Sequence, residues 1–364
     1  MSNSSALSEN ASNFGPVAAR YGSIFEIGQF KGAFSERALV IQDAHTVRLC
    51  PAVFALHDVV AIPQDWSFLT ADGRLAIDGT AINPFLIRKG RMPSIVPSGE
   101  DICTIAAEAA ETIDEPVVFI GGDCLNNYYH WVVDFLPRLA MFQRHRERFA
   151  QWGARRIALI RDLPAYAREM LEPLGIRTED IVWIDSRHSW RFRSLYVLSN
   201  FSQYGHVHPF CLQLLRRMLR PIDCGVGSRM LYVSRHDATS RRVRNEDELL
   251  AVLERRGFER IVPGSLSLAE QQHLFMDARV IVGAHGAGLT NMLFAGAGTA
   301  VVELRPNVNG LQHFRLLAEK LGQRYELVTA SAQDMDIPNH HNSGFRIDPA
   351  RVDAAVAKAL SEIN

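Results

Sequence analysis

A glycine-containing turn, His285-Gly286-Ala287-Gly288, separates a short apolar, β-branched run from a stretch that begins like a helix at Leu289. Glycines let a ligand approach the backbone closely, and the N–H groups at the start of a helix favour an anion. Asn291 falls in the first turns of that helix, which we predict over residues 289–295. This order predicts an anion-binding site. A tight turn with a core histidine and a surface amide is the alternative.

Glu303 lies near the end of the next apolar run, residues 299–304, which stops before Pro306. Ligands of open α/β sheets bind at the carboxyl ends of strands, where an acidic residue can accept hydrogen bonds from ribose hydroxyl groups. We therefore predict that Glu303 contacts a nucleotide. A surface carboxylate is the alternative.

An arginine-rich loop follows the first strand predicted for the second half of the chain. It runs from Ser234 to Asn245, and its arginines are at positions 235, 241, 242 and 244. Guanidinium groups match the oxygens of a diphosphate, and a serine hydroxyl adds a hydrogen bond. We expect Arg235 and Arg242 to bind phosphate, with Ser234 and Asn245 beside them. A solvated charged loop, in which Asn245 is only a helix N-cap, is the alternative.

A third polar group lies in the segment NNYYHWVVDFLPRL, residues 126–139. As a helix, this segment places Asn127, His130 and Asp134 on one face, with apolar side chains over the rest. Such a polar stripe needs hydrogen-bond partners or a cleft. We expect His130 or Asp134 to take the proton of an attacking hydroxyl group, which is general-base chemistry. A structural histidine–aspartate pair is the alternative.

The chain has 364 residues, which suits two domains. Strand-like and helix-like segments alternate, so we predict an α/β fold whose first domain has a mostly parallel sheet. Residues 102–112 are predicted to be a helix. The expected organisation is a disordered N-terminus over 1–15, an α/β domain over 16–220, a linker over 221–228, a Rossmann-like domain over 229–345 and a C-terminal helix over 346–364.

Composition disfavours several classes of protein. A formal net charge of −1 disfavours a nucleic-acid binder, and five scattered cysteines without C-x-x-C pairing predict reduced thiols. The polar N-terminus predicts no signal peptide, and no apolar run reaches the ~18 residues of a membrane span, so we predict a cytoplasmic protein. Asp334-Met-Asp336 is formally D-x-D. It falls in a segment expected to be a mobile loop, so no metal site is predicted.

Three patterns together resemble glycosyltransferase family 61. They are HGAGLTN followed by E-x-x-P, the S-R…R-R…N-E loop, and an N-x-x-H-W-x-x-D-x-L-P-R-L segment. The resemblance implies GT-B architecture, with two Rossmann-like domains facing each other across a cleft. The first domain would hold the acceptor and the base. The second would hold the donor through Ser234, Arg235, Arg242, Asn245, His285, Gly286, Gly288, Leu289, Asn291 and Glu303.

The resemblance also implies the reaction. A sugar would move, with inversion, from a nucleotide-sugar donor, expected to be UDP-linked, to a glycan, glycolipid or polysaccharide of the capsule type. Arginines and helix amides would replace a metal, so no cofactor is expected, and a lipid-linked acceptor would bring the enzyme to a membrane surface. Two alternatives stay open. One is a non-catalytic nucleotide- or glycan-binding protein on the same fold, and the other is a transferase of the polysaccharide pyruvyltransferase type.

Overall fold

The computed structural model divides into two compact units, Met1–Phe201 and Ser202–Asn364. The domain boundaries expected from the sequence stay predictions, and the segment 1–15 lies outside the described residues. The structure describes strands over 17–22, 26–29, 38–42, 45–49, 52–62, 67–69, 74–76, 95–97 and 102–105, and then residues 111–122, 124–198, 201–203, 206–208, 212–213, 215–217, 225–307, 312–338 and 340–363.

The N-terminal unit is built on a twelve-stranded sheet. The described strands of the unit are β1 (Val17–Gly22), β2 (Glu26–Gln29), β3 (Ala38–Gln42), β4 (His45–Leu49), β5 (Ala52–Ile62), β6 (Ser67–Leu69), β7 (Arg74–Ala76), β8 (Ile95–Pro97), β9 (Ile102–Ile105), β10 (Glu111–Ile113), β11 (Val117–Ile120), β12 (Arg156–Ile160), β13 (Ile181–Ile184) and β14 (Trp190–Leu198). They pair in the order β13-β12-β11-β14-β5-β6-β7-β1-β9-β8. In addition β10 pairs with β14, β2 pairs with β5, and β3 and β4 form a separate ribbon.

This sheet is mixed, and the expectation of a mostly parallel one was wrong. β13, β12, β11 and β14 run parallel, but β14 then pairs antiparallel with β5, and β5, β6 and β7 continue as antiparallel neighbours. The helix predicted over 102–112 was also wrong. Residues Ile102–Ile105 form β9, antiparallel to β1, and Glu111–Ile113 form β10. Isoleucine and threonine suit a paired strand, and that pairing outweighs the helix propensity of the alanines that follow.

The helices that the structure describes in the N-terminal unit follow β11. They are α1 (Tyr128–His130), a π-helical turn (Trp131–Phe135), α2 (Leu136–Arg144), α3 (Arg146–Gln151) and α4 (Ala165–Glu169), with 3₁₀ turns at Glu172–Leu174 and Thr178–Asp180. The side chain of Asn127 caps α1 by accepting the N–H of Tyr129 at 3.0 Å. The buried face of α2 includes Leu136, Leu139 and Phe142, which anchor the composite helix.

The C-terminal unit contains a five-stranded parallel sheet. The described strands of the unit are β15 (Ser202–Gln203), β16 (His206–Val207), β17 (Arg229–Val233), β18 (Phe258–Ile261), β19 (Ala278–Ala284), β20 (Ala300–Arg305) and β21 (Arg324–Thr329). The sheet order is β18-β17-β19-β20-β21, with β15 and β16 paired apart from it. The helices whose bounds the structure describes are α5 (Glu246–Arg255), α6 (Leu268–Met276), α7 (His313–Leu321) and α8 (Pro349–Ile363), with 3₁₀ helices at Pro263–Ser265, Ala287–Phe294 and Ala332–Asp334.

Numbered within the unit, this order is 2-1-3-4-5, the order of one of the two common doubly wound α/β folds. Such parallel strands are buried on both faces, and the burial of β19 and β20 agrees with this. Leu253 of α5 and Val352 and Val356 of α8 pack into the same core. Ser267 and Glu270 form a capping box that starts α6.

The order of the strands fixes where a ligand site can form. Strand order reverses between β17 and β19, and ligands of doubly wound sheets bind at the carboxyl ends of the strands beside such a switch point. The arginine loop leaves β17 at this place, and the glycine turn leaves β19. The segment after the turn is a 3₁₀ helix from Ala287 to Phe294, which corrects the helix predicted over 289–295. No helix among the described residues is long and apolar enough to cross a membrane.

Candidate functional site

Arg235 and Gly286 are packed directly against each other at the switch point. A Cβ atom added at Gly286 would overlap with the guanidinium group of Arg235. The backbone of Gly286 is extended, with φ of 170°, so the glycine is needed for space rather than for an unusual conformation. Gly288 is also tightly packed, because its added Cβ would lie 3.1 Å from Val233 and 3.3 Å from Pro263. The turn therefore fits closely around the arginine.

Arg241 is the second arginine at this turn. Its Nε–H donates to the carbonyl oxygen of His285 at 2.9 Å, and its Nη1 donates to Oδ1 of Asn342 at 2.7 Å. The backbone of Arg241 has φ of 54°, which is sparsely populated for a residue with a side chain. A backbone hydrogen bond from Arg241 N–H to the Asn342 carbonyl, 3.2 Å long, helps to hold this conformation.

The two guanidinium groups carry more positive charge than their surroundings neutralise. Burial, and then the charge of the neighbouring Arg241, lower the pKa of Arg235 to about 10 against a smaller opposing effect of Asp237. Burial also lowers the pKa of Arg241, opposed by the charge of Glu303. Nε of Arg235 is buried without a hydrogen-bond partner. Neither arginine forms an ion pair with any carboxylate that the structure describes. Such an arrangement stabilises a bound anion.

Other arginines of the loop have different surroundings. The side chain of Arg242 is exposed, and the described residues give it no side-chain hydrogen bond; only its carbonyl accepts one, from the Phe345 N–H. Arg244 forms an ion pair with Asp336, in which Nε donates to Oδ2 at 2.8 Å. The phosphate role predicted for Arg242 stays a prediction. The geometry at the turn favours Arg241 instead.

Ser234 and Asn245 are buried and have partners within the protein. Oγ of Ser234 donates to Glu246 at 2.7 Å and accepts the N–H of His236. Asn245 lies at the N-cap position of α5 without making the capping hydrogen bond. Its amide instead pairs with the backbone of Ile347, at 2.8 Å and 3.0 Å. Both residues therefore hold the loop in place.

The glycine turn continues into a largely buried helix. Leu289 is completely buried, and its N–H already donates to the Gly286 carbonyl at 3.0 Å. Asn291 is also buried, and its Nδ2 donates to Oε1 of Gln271 at 2.7 Å. Gln271 in turn donates to the Pro263 carbonyl at 2.9 Å. These contacts fix the turn relative to α6, and the ligand roles predicted for Leu289 and Asn291 stay predictions.

His285 and Glu303 lie side by side beneath the turn. Nδ1–H of His285 donates to Oε1 of Glu303, and the hydroxyl of Tyr325 donates to Oε2. Glu303 is completely buried, whereas the His285 side chain keeps 9% of its surface exposed. Both carboxylate oxygens are thus occupied by protein donors, which leaves the predicted contact with a ribose without support from this geometry.

His130 and Asp134 pair with each other in the N-terminal unit. Nδ1 of His130 lies 2.7 Å from Oδ2 of Asp134, and the side chains are 36% and 16% exposed. The pair spans the junction of α1 and the π-helical turn, and π-bulges are frequent at functional sites. Asn127, expected on the same face, caps the helix. A carboxylate that accepts Nδ1–H leaves Nε2 as the basic atom of a neutral histidine.

Arg138 supports this pair from one turn further along the helix. It is almost completely buried, and Nη1 donates to the carbonyl of Gly121, just past β11, at 3.0 Å. Burial lowers the pKa of Arg138 to about 10, and the charge of Asp134 opposes this shift. A buried cation therefore faces the carboxylate of the histidine–aspartate pair.

The D-x-D segment, whose expected mobility stays a prediction, makes several hydrogen bonds to its surroundings. Its Asp336 is bound by Arg244, the Asp336 N–H donates to the Gly344 carbonyl, and Ser331 donates to Asp334. Phe345 forms bridges to Val243 and Met335, so this segment lies against the arginine loop. Within the described residues, no three histidine, cysteine, aspartate or glutamate side chains are grouped so that they could hold a metal ion.

Comparison with known proteins places this arrangement in a family. Residues 128–302 match the model of glycosyltransferase 61, a range that begins at α1 and ends in β20. Residues 128–302 belong to glycosyltransferase family 61. The resemblance identified from the sequence is thereby confirmed over these residues, and glycosyltransferase activity of the whole protein is a proposal. The matched range contains both the His130–Asp134 pair and the two arginines at the glycine turn.

Two curated relatives carry names of the same kind. The EGF domain-specific O-linked N-acetylglucosamine transferase of Drosophila melanogaster is 34% identical over 152 residues, which is 40% of this chain and 28% of the relative. The Beta-1,2-xylosyltransferase of Arabidopsis thaliana is 38% identical over 98 residues, 27% of this chain and 15% of the relative. The chain therefore matches less than a third of the length of either relative.

Three residues that the sequence alone did not single out lie at these sites. Arg241 stood in the same arginine run as Arg242, and only the turn of the loop distinguishes them. Arg138 was visible in the LPR motif, but nothing in the sequence showed that it would be buried near Asp134. Tyr325 lies beyond the matched residues and reaches Glu303 through the pairing of β20 with β21.

Proposed function

We propose that this protein transfers a sugar from a nucleotide-sugar donor, and that the donor's diphosphate binds at Arg235 and Arg241 beside Gly286. The observation that carries the proposal is the pair of half-buried guanidinium groups, neither of them in an ion pair with a described carboxylate, at the switch point of a doubly wound sheet. Two guanidinium groups can bind the oxygens of a diphosphate through charge-assisted hydrogen bonds. A uridine diphosphate leaving group, as the family resemblance implies, is consistent with this chemistry.

The proposed reaction is a single displacement with inversion. The acceptor hydroxyl oxygen forms a bond to the anomeric carbon while the bond from that carbon to the β-phosphate oxygen breaks, and the electron pair leaves with the nucleoside diphosphate. Arg235 and Arg241 stabilise the negative charge that grows on the phosphate, which is commonly a large contribution to catalysis. With two cationic side chains in this position, turnover needs no divalent metal ion.

His130 is the proposed base. Asp134 accepts its Nδ1–H, so Nε2 takes the proton of the acceptor hydroxyl as the new bond forms, and the resulting imidazolium is stabilised by the aspartate. The base lies in the N-terminal unit and the arginines in the C-terminal unit. A GT-B arrangement, in which the first unit holds the acceptor and the second the donor, is therefore part of the proposal.

The names of the relatives bear on the substrates only in general terms. One is named for N-acetylglucosamine and the other for xylose, so the two do not agree on a sugar. What they share is sugar transfer. We propose a glycan, glycolipid or polysaccharide as the acceptor, as the family resemblance implies. The cytoplasmic location and the capsule-type product remain predictions from the sequence.

Nucleotide binding and donor turnover together test the function. Calorimetry with UDP, uridine and pyrophosphate should show that UDP and pyrophosphate bind and uridine binds weakly, and Arg235→Ala should weaken both phosphate ligands. Because UDP binds only the folded protein, UDP at about 100 times its Kd should add about 2.7 kcal/mol to the free energy of unfolding.

Each rival function has its own result in this test. A pyruvyltransferase uses a donor that has no nucleoside. Such an enzyme would therefore bind UDP no more tightly than pyrophosphate. A non-catalytic binding protein would bind UDP-sugars but would neither transfer nor hydrolyse any of them across a broad panel of donors and acceptors. Equal UDP affinity in the wild type and Arg235→Ala would refute the proposed diphosphate site.

A further inference from the structure

A hydrogen-bonded chain runs from the half-buried Tyr325 through the buried Glu303 to His285 and ends at the glycine turn. The three side chains come from β21, β20 and the end of β19, which are neighbours in the sheet. Tyr325 donates to one carboxylate oxygen and His285 to the other. Because Glu303 is completely buried, it needs both donors to offset the loss of water.

The backbone of His285 is fixed as firmly as its ring. Its N–H donates to the Leu304 carbonyl at 2.8 Å, and its own carbonyl accepts the Nε–H of Arg241 at 2.9 Å. The ring of Phe314 lies edge-on to the imidazole, with centroids 5.1 Å apart. Among the described residues, Nε2 of His285 has no hydrogen-bond partner, and the side chain keeps a small exposed surface.

We propose that Glu303 and Tyr325 are positioning residues, which hold His285 with Nδ1 turned inward so that Nε2 contacts the donor's diphosphate. This inference rests on the proposed function and adds a third group to the two arginines. It also gives Glu303 a role that its complete burial allows. In this role Glu303 acts through His285 and does not touch the donor itself.

The chemistry of the chain follows from which atoms can donate. Burial, and then the charge of Glu303, raise the pKa of Tyr325, so the phenol keeps its proton and donates to the carboxylate. The ionised carboxylate of Glu303 has no proton to donate, so it accepts hydrogen bonds from both Tyr325 and His285. In a neutral imidazole the single ring proton must therefore be on Nδ1 of His285. Nε2 then meets the ligand. When the imidazole is protonated beside the phosphate, Nε2–H donates a charge-assisted hydrogen bond.

The tautomer of His285 is the most direct test. Long-range ¹H–¹⁵N correlation spectra of protein labelled with ¹⁵N-histidine distinguish a proton on Nδ1 from one on Nε2, and His285→Gln identifies the signals. In ligand-free wild-type protein, Nδ1 should carry the proton. Addition of UDP should shift the Nε2 signal more than the Nδ1 signal, because Nε2 is the atom that meets the phosphate.

Tyr325→Phe tests the far end of the chain, and Tyr232→Phe is its matched control. Tyr232 is a buried tyrosine of the same unit, and its hydroxyl donates to Glu246 at 2.9 Å rather than to Glu303. Tyr325→Phe should change the His285 signals and weaken UDP binding about two- to tenfold, less than the loss of a direct hydrogen bond to a charged group, because Tyr325 acts on the ligand only through His285. Tyr232→Phe should leave the His285 signals unchanged.

The results separate this inference from the proposed function. A neutral His285 with its proton on Nε2 in the wild type would overturn the positioning role without any variant having to fold. Unchanged His285 signals and UDP affinity in Tyr325→Phe would overturn it as well. If UDP does not bind the wild type at all, the proposed donor site fails, and with it the contact between Nε2 and diphosphate, whatever the tautomer.

Discussion

Arg241→Ala and Arg242→Ala form a matched pair, because the two arginines are adjacent in sequence and differ in their surroundings. The guanidinium group of Arg241 lies at the glycine turn, bonded to the His285 carbonyl and to Asn342. The side chain of Arg242 is exposed. The two variants remove the same charge, so long-range electrostatic effects on an anionic ligand are similar. A difference in UDP affinity between them therefore measures direct contact.

The size of that difference follows from the interactions at stake. One hydrogen bond to a charged group contributes ~1.5–3 kcal/mol, which corresponds to a ~10- to 150-fold loss of affinity in Arg241→Ala. An exposed charge near the site contributes far less, so we expect no more than about a threefold change in Arg242→Ala. The affinity ratio between the two variants should thus be about tenfold or larger.

Calorimetric titration with UDP at one fixed ionic strength makes the comparison, and thermal unfolding identifies variants that lose structure. Arg241→Gly is a useful control because glycine accepts the φ of 54° without strain. It should match Arg241→Ala in UDP affinity while unfolding at a similar or higher temperature. The reasoning is refuted if Arg242→Ala weakens UDP binding as much as Arg241→Ala does, or if neither variant changes it.

Three further predictions concern the glycine turn, the base and the metal. Gly286→Ala should displace Arg235 and weaken UDP binding at least tenfold, whereas an intact protein with normal affinity would show that the close packing is unimportant. His130→Ala should lower turnover by ~10²–10⁴-fold with nearly unchanged UDP affinity. If Asp134 acts only through His130, adding Asp134→Asn to this variant should lower turnover no further, which steady-state kinetics can measure. Turnover should persist in EDTA, and recovery only on addition of Mn²⁺ or Mg²⁺ would contradict the proposed role of the arginines.

The C-terminal unit was the easier part to predict from the sequence. Buried parallel strands such as β19 and β20 are continuous apolar runs, and Ser267 with Glu270 is a strong start signal for α6. The N-terminal unit was harder, because residues such as Ile102 lie in short strands whose partners are distant in sequence. Pairing of that kind decides between helix and strand and leaves little local signal.

The same division holds within the candidate site. The sequence located the arginine loop, the glycine turn and the His130–Asp134 pair, because each is a local cluster of polar residues. It could not distinguish Arg241 from Arg242, since that choice depends on one backbone conformation stabilised by Asn342, about a hundred positions away. It also could not show that Glu303 is enclosed between His285 and Tyr325, since a carboxylate at a strand end looks the same whether buried or exposed.

The contact between the arginine loop and the segment around Asn342 has a consequence for dissecting the protein. The family match ends at residue 302, inside β20, so a fragment cut there would retain every recognisable motif up to Asn291. It would lack Glu303, the edge strand β21 and Asn342, which holds Arg241. The shortest piece able to bind a donor is therefore longer than the stretch by which the family is recognised. Chimeras with relatives should be joined beyond α8 rather than at the end of the motif.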